Sequence, residues 1–273
     1  MPDTSERPCI VVGIDGSPAA VDAALWAVEQ AVDADVPLRL VYVIDPRPGA
    51  VDPQDQARRV ATGEIALRHA LTAVEATERP VKIELEMLQG RPVETLLEAA
   101  RPASMLCVGA RGYRHSTSGR IGSTAAALTA AARCPVAIVR AHRPHHRSDR
   151  AVVVEYTDTP AGGEVMRRGL DEARRRHAPA RVLTPARTAA EVGARWDRRL
   201  AEWRHSFPDV DISAVHGPGG TLGYLSVHGD AVQLLVTARN RPGGIAALLG
   251  APGNKALRDT DCSILVCEPH TAL

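Results

Sequence analysis

Lysine is almost missing from this chain of 273 residues, and neither charge sign is in excess. The basic residues are nearly all arginine, since only Lys82 and Lys255 are lysines. A mechanism that needs a catalytic or phosphate-binding lysine therefore has two candidates. Lys and Arg total 33 and Asp and Glu total 32, which gives a formal net charge of +1. This balance excludes the strong positive excess that is typical of nucleic-acid-binding domains.

The sequence also lacks a disulfide or metal pattern and any membrane segment. Its five cysteines are widely spaced, with no CxxC pair and no zinc-type spacing, so we predict reduced, buried thiols. Residues 1–8 lack the apolar stretch of a signal peptide. No apolar run is long enough to cross a bilayer. We therefore expect a cytoplasmic protein without membrane partners.

What is present is an alternation of short apolar runs and longer segments of helical period. The length favours about two domains, and 45% apolar with 24% charged residues is typical of globular proteins. Strands in the first half are predicted at Cys9–Ile14, Leu38–Val43, Val81–Met87, Met105–Gly109 and Val136–Arg140. Helices are predicted at 17–34, 54–78, 91–101 and 122–133, with Ser17 as N-cap and Pro18 first. Strands covered on both faces indicate a parallel sheet.

The second half repeats the first. Pro160 lies 142 residues after Pro18, and Leu234–Val236 lie 128 residues after Leu106–Val108. Strands are predicted at 151–154, 182–183, 210–215, 232–237 and 263–267, and helices at 160–177, 188–206, 221–228 and 250–259. We therefore predict domains at 1–142 and 151–273, with a solvated linker at 143–150. His142, His145 and His146 lie at this linker, and no carboxylate or cysteine cluster supports a metal site there.

The most informative segment follows the fourth predicted strand. Gly109-Ala-Arg-Gly112 is followed by nine residues and then by Gly122-Ser123 at a helix start. Glycines allow close backbone approach and positive φ, and successive N–H groups form an anion nest. The helix N-terminus adds a favourable dipole, and Arg111, Arg114 and Arg120 add positive charge. This arrangement predicts a phosphate-binding loop.

The loop resembles the Gly-x2-Gly-x9-Gly-Ser/Thr motif of the universal stress protein family. The segments Val11–Ser17, Val41–Asp45 and Cys134–Val139 also resemble that family's first, second and closing strands. Since both halves carry these strands, the chain resembles a tandem member, and the resemblance covers nearly its whole length.

The resemblance implies two tandem Rossmann-like α/β domains, of the adenine nucleotide alpha hydrolase-like type. Each would be a five-stranded parallel sheet of order 3-2-1-4-5 that binds ATP at the carboxyl ends of its strands. Asp15 would contact the ribose or adenine end, and the backbone of Gly13, Val43 and Val108 would line the base. The phosphates would be held by Gly109, Gly112, Gly122, Ser123 and Thr124, with Arg111 nearby. The sequence does not decide whether Mg²⁺ accompanies the phosphates; Asp45 is the candidate ligand for it, and no motif supports that role.

Two features leave alternatives open in the first half. Ala125 replaces a serine or threonine that is frequent in the family, which removes one hydroxyl contact of about 1 kcal/mol. Asp15 is also compatible with a simple turn after a strand, and Arg111 with a solvated loop arginine.

The second copy has lost most of the motif. Gly109 corresponds to Thr237, Gly112 to Asn240 and Ser123 to Ala251, while Pro252 removes one backbone N–H. Asp15 corresponds to Thr157, with Asp158 as a neighbouring substitute. Gly13 corresponds to Glu155, which if ionised would repel phosphate. We therefore expect ATP binding in the first domain only.

The sequence is compatible with three functions. The resemblance implies a nucleotide-dependent regulatory module of the stress response with unknown protein partners. The alternatives are an interaction scaffold without nucleotide and a slow ATPase. No residue can be assigned to catalysis, because no nucleophile with its base and no lysine phosphate loop is present. The resemblance also implies pairing through the closing strands Val136–Val139 and Ile264–Val266, either within the chain or in a homodimer.

Overall fold

The computed structural model describes residues 8–46, 52–112, 120–140, 149–183, 190–217, 219–258 and 260–267. The chain divides into two compact units, Met1–His142 and Arg143–Leu273. Arg114, His142, His145 and His146 lie outside the described residues.

The first unit alternates strands and helices. Its elements are β1 (Ile10–Ile14), α1 (Pro18–Ala34), β2 (Leu38–Ile44), α2 (Pro53–Glu75), β3 (Ile83–Gln89), α3 (Pro92–Ala99), β4 (Met105–Gly109), α4 (Ser123–Ala131) and β5 (Val136–Val139). Proline stands in the first turn of α1, α2 and α3, where its missing N–H would have no partner in the helix. Ser17 caps α1 as predicted, since its Oγ accepts a hydrogen bond from the Ala20 N–H at 3.2 Å.

The strands of the first unit form a parallel sheet of order β3-β2-β1-β4-β5. Apolar side chains of β1, β4 and β5 are almost all buried, which explains their unbroken Val, Ile and Leu runs. The third strand begins two residues later than predicted, at Ile83, and runs to Gln89. Its side chains are half-buried or exposed, because it lies at the edge of this unit's sheet.

The second unit has the same alternation. Its elements are β6 (Ala151–Glu155), α5 (Pro160–Arg175), β7 (Ala180–Leu183), α6 (Ala190–Ser206), β8 (Ile212–Val215), α7 (Gly220–His228), β9 (Val232–Ala238), α8 (Gly244–Leu249), α9 (Ala251–Ala256) and β10 (Ser263–Cys267). Its strands pair in parallel in the order β8-β7-β6-β9-β10. The predicted α/β class with parallel sheets is therefore confirmed.

The helix predicted over 250–259 is present but shorter, as α9 (Ala251–Ala256), with Pro252 in its first turn. The preceding six-residue helix α8 was not predicted. Gly250, with φ −86° and ψ −161°, is extended and separates the two helices. Gly243 and Gly244 have φ values of 79° and 74° and start α8 where only a loop was expected.

Arg150, the last residue of the predicted linker, and Arg140, which precedes the linker, are both buried. Arg150 donates from Nη2 to the Val232 carbonyl at 2.7 Å, and Arg140 is 7% exposed. The strand that was predicted to reach Arg140 ends at Val139. Arg150 is therefore bound to a backbone carbonyl of the second unit.

The cysteines are as predicted: all five are free and buried. Within the described ranges, no helix has the length and apolar character needed to cross a bilayer.

Candidate functional site

The first unit has a crevice at the carboxyl ends of β1 and β4. These strands are neighbours, and the chain leaves them toward opposite sides, to β2 and to β5. In open α/β sheets ligands bind at such a switch point. Asp15 follows β1, and the segment Gly109–Gly112 ends and follows β4, so the crevice brings the predicted residues together.

Asp15 lies against the loop that follows β4. Its Oδ1 accepts the Ser17 N–H at 2.9 Å, which is the turn contact of the simpler interpretation. Its Oδ2 lies 2.8 Å from the place that a Cβ on Gly112 would take. A side chain at Gly112 would therefore displace the Asp15 carboxylate. Asp15 is nevertheless exposed, so the turn contact leaves it accessible to a ligand.

At Gly109 and Gly112 the lack of a side chain allows neighbouring groups to approach closely. Positive φ was expected of them, but Gly109, Gly112 and Gly122 all have other conformations. A Cβ on Gly109 would lie 2.7 to 2.9 Å from three atoms of Ala19 in α1, so Gly109 lets β4 pack on α1. The glycine with positive φ in this crevice is Gly16, at 83°. The sequence Asp15-Gly16-Ser17, which is typical of a turn, could have indicated this conformation.

Ser17 ties the two sides of the crevice together. Its hydroxyl donates to the carbonyl oxygen of Arg111 at 3.2 Å, across 94 residues of sequence. Arg111 is half-buried, and its guanidinium makes no hydrogen bond or ion pair with any described residue. Sequence reasoning assigned Ser17 only a capping role, because a contact so distant in sequence leaves no local pattern.

The start of α4 is fixed to the end of β4. Gly122 donates its N–H to the Ala110 carbonyl at 2.9 Å, and Ala110 donates to the Val139 carbonyl at 2.7 Å. The Gly122 N–H is therefore already used within the protein. The next N–H groups, from Ser123 onward, have no acceptor inside the helix. The Ser123 and Thr124 side chains are exposed, and no hydrogen bond joins either hydroxyl to a described residue.

The residues expected to line a base lie on three adjacent strands. Gly13 of β1 is in register with Val108 of β4 and with Val41 of β2, two residues before Val43. A Cβ on Gly13 would lie 3.2 Å from both Leu96 and Val108, so the lack of a side chain lets these two residues pack closely on β1. Val43 is half-buried and Val108 is buried.

Other candidates contribute less. Ala125 is 3% exposed, so the position that lacks the expected hydroxyl faces the interior. Arg120 is exposed, and Asp45 is exposed directly after β2. Across the described part of the chain, no cluster of three His, Cys, Asp or Glu residues suits a metal ion.

The corresponding crevice of the second unit holds a buried ion pair. Glu155 ends β6, and its two carboxylate oxygens accept Nε and Nη2 of Arg241, each at 2.7 Å. Thr221 and Thr237 donate one hydroxyl each to the same carboxylate. Glu155 was expected to repel a phosphate, but Arg241 balances its charge. The sequence did not predict this ion pair because the two residues are 86 positions apart. Asp158 is exposed.

Comparison with known proteins gives the family. The family model described as "Universal stress protein family" matches residues 8–140. A universal stress protein of Mycobacterium tuberculosis is 44% identical over 273 residues, covering 97% of this chain and 98% of its own. Another from the same organism is 39% identical over 260 residues, covering 94% and 95%.

A solved structure agrees with the fold. The crystal structure of a universal stress protein from Archaeoglobus fulgidus matches with a TM-score of 0.69 and 14% identity, and covers 95% of this chain and 96% of that chain. With the near full-length relatives, these matches establish that the chain belongs to the universal stress protein family.

Proposed function

We propose that the first unit binds one adenine nucleotide, ATP, and that the protein acts as a nucleotide-dependent regulatory module of the stress response. The observation that carries this proposal is that exposed Asp15 and the N-terminus of α4 both contact the loop that follows β4. Asp15 lies against Gly112 of this loop. Gly122, at the start of α4, donates its N–H to the carbonyl of Ala110 in the same loop.

The groups in this crevice suit a nucleotide. The Asp15 carboxylate is an acceptor for ribose hydroxyls, and it is exposed. The unpaired N–H groups at the start of α4, with the Ser123 and Thr124 hydroxyls, are donors for phosphate oxygens. The backbone of Gly13, Val43 and Val108 would line the base. With only two lysines in the chain, phosphate charge would be met by backbone dipoles and by arginines such as Arg111.

We further propose that the second unit binds no nucleotide. Glu155 stands where the first unit has Gly13, and Thr237 where it has Gly109. Glu155 and Arg241 are paired in that crevice, and the two residues are 8% and 6% exposed. A base or phosphate would have to displace this pair.

Calorimetric titration of the full chain with ATP, with and without Mg²⁺, tests both parts. We expect about one site per chain. Asp15→Asn keeps an oxygen for the Ser17 N–H but removes the charge, so it should weaken binding about tenfold or more. Asp158→Asn is the matched control in the second unit and should leave binding unchanged. Two equal sites, or binding insensitive to Asp15→Asn, would contradict the proposal. Absence of binding would favour the interaction scaffold instead.

A further inference from the structure

The second unit contains three polar side chains, Arg241, Thr221 and Thr237, arranged around one carboxylate. We propose that this crevice is a binding site for a small carboxylate anion, and that the chain's own Glu155 occupies it. The proposal concerns the second unit alone and does not rest on nucleotide binding by the first.

The donors around Glu155 form a complete set for a carboxylate. Oε2 receives Nε of Arg241 and the Thr237 hydroxyl, while Oε1 receives Nη2 of Arg241 and the Thr221 hydroxyl. Each oxygen thus accepts one guanidinium N–H and one hydroxyl. A planar guanidinium that contacts both oxygens of a carboxylate is the preferred geometry for recognising this group.

The Arg241 side chain is positioned independently of Glu155. Its Nη1 donates to the Gly244 carbonyl at 3.1 Å, and the Gly244 N–H donates to the Arg241 carbonyl at 2.9 Å. Gly244 begins α8, the helix that sequence reasoning missed. Arg241 would therefore stay directed into the crevice without a carboxylate there.

Burial makes this arrangement a site rather than an incidental surface contact. Glu155 and Arg241 are 8% and 6% exposed, and Thr221 and Thr237 are buried as well. A buried ion pair is a weak source of stability, because desolvation offsets the attraction, and apolar residues often serve as well. Losing one partner is costly, since the other charge stays buried without compensation.

The place in the fold is the ligand-binding edge of the sheet. Val154 and Val236 are register partners in β6 and β9, and Glu155 and Thr237 are the residues that follow them. Between these strands the connections again run to opposite sides, to β7 and β10. The chain has therefore put a carboxylate where an open α/β sheet receives a ligand.

Rescue by an added carboxylate tests the proposal. Glu155→Ala in the full chain removes the carboxylate and keeps Arg241, Thr221 and Thr237. We expect a lower thermal midpoint, which sodium formate raises by several degrees in a saturable way, beyond sodium chloride at equal ionic strength. The wild type and the Glu155→Ala/Arg241→Met variant should show no such gain.

The controls separate the alternatives. Equal midpoints in formate and chloride would overturn the proposal, as would rescue that persists without Arg241. Rescue by inorganic phosphate as strong as that by formate would overturn the carboxylate class, because a tetrahedral anion does not match the planar arrangement of donors.

A second measurement applies if Glu155→Ala does not fold. Arg241→Met leaves Glu155 buried and unpaired, whereas Glu155→Gln/Arg241→Met removes both charges. We expect Arg241→Met to lower the folding equilibrium constant by about a hundredfold or more, and the double variant to recover most of it. Equal stability of the two variants would show that the carboxylate is not held by Arg241, and would overturn the proposal.

Discussion

The hydroxyl of Ser17 and the carbonyl oxygen of Arg111 are joined by a hydrogen bond of 3.2 Å. One residue starts the first helix and the other lies in the loop after the fourth strand, so a single serine fixes both walls of the crevice. Because the same Oγ also caps α1, its removal affects stability and the site together.

Ser17→Ala should lower the free energy of unfolding by about 1 to 2 kcal/mol, since a helix loses its cap and Arg111 loses a donor. Urea denaturation monitored by circular dichroism measures this change. Ser123→Ala is the matched control, because that hydroxyl is exposed at the start of α4; its effect should stay within about 0.5 kcal/mol. Equal losses of unfolding free energy in the two variants would contradict a stabilising role for the Ser17 hydrogen bonds.

Gly109→Ala should destabilise the first unit by about 1 to 3 kcal/mol, since the added Cβ would press on the Ala19 backbone at 2.7 Å. Gly122→Ala should cost less than about 1 kcal/mol, because its Cβ would meet nothing closer than 3.7 Å and its φ is −65°. Thermal unfolding of both variants checks this order. A stable Gly109→Ala protein would mean that α1 moves away from β4 without cost.

Alkaline pH should destabilise the protein through Cys267. Burial raises the pKa of this thiol from 9.0 to about 12. Below pH 9 the thiol is protonated in both states, and between pH 9 and 12 only the unfolded chain ionises. Stability should therefore fall across that window, by up to about 1.4 kcal/mol per pH unit for one group.

The comparison variant for this window is Cys267→Ala, which should show a shallower alkaline decline in urea denaturation at several pH values. Burial also raises the pKa values of Cys9 and Tyr224, but these groups are present in both proteins and cancel in the comparison. Parallel declines in the variant and the wild type would contradict the assignment to Cys267.

Thiol labelling should be slow in the native protein. All five cysteines are buried, and burial also raises the pKa of Cys9, so little thiolate is exposed to a disulfide reagent at pH 8. We expect labelling to follow unfolding and to reach five equivalents in urea. One rapidly reacting equivalent without denaturant would contradict this description.

Local patterns in the sequence predicted much of the fold. Met105–Gly109 was predicted to the residue because an apolar run ends at a glycine, and the start of α1 because serine precedes proline. The short helix α8 was missed because two glycines, Gly243 and Gly244, stand at its start and indicate a loop by composition.

The site was only partly predictable for a related reason. Asp15 and the loop glycines could be placed by motif, but the partners of Ser17 and Glu155 lie 94 and 86 residues away. Such contacts are made by tertiary packing, and a single sequence carries no periodic trace of them. The role of Gly109 against Ala19 has the same origin.

The Glu155–Arg241 pair forms within a single chain. Both partners belong to one chain, so the effective concentration of the carboxylate at the guanidinium is fixed by covalent connection and does not change on dilution. Occupancy by a free metabolite follows its cellular level, whereas occupancy by Glu155 does not. If the proposal is correct, the contact that fills the second crevice is the same at every metabolite concentration.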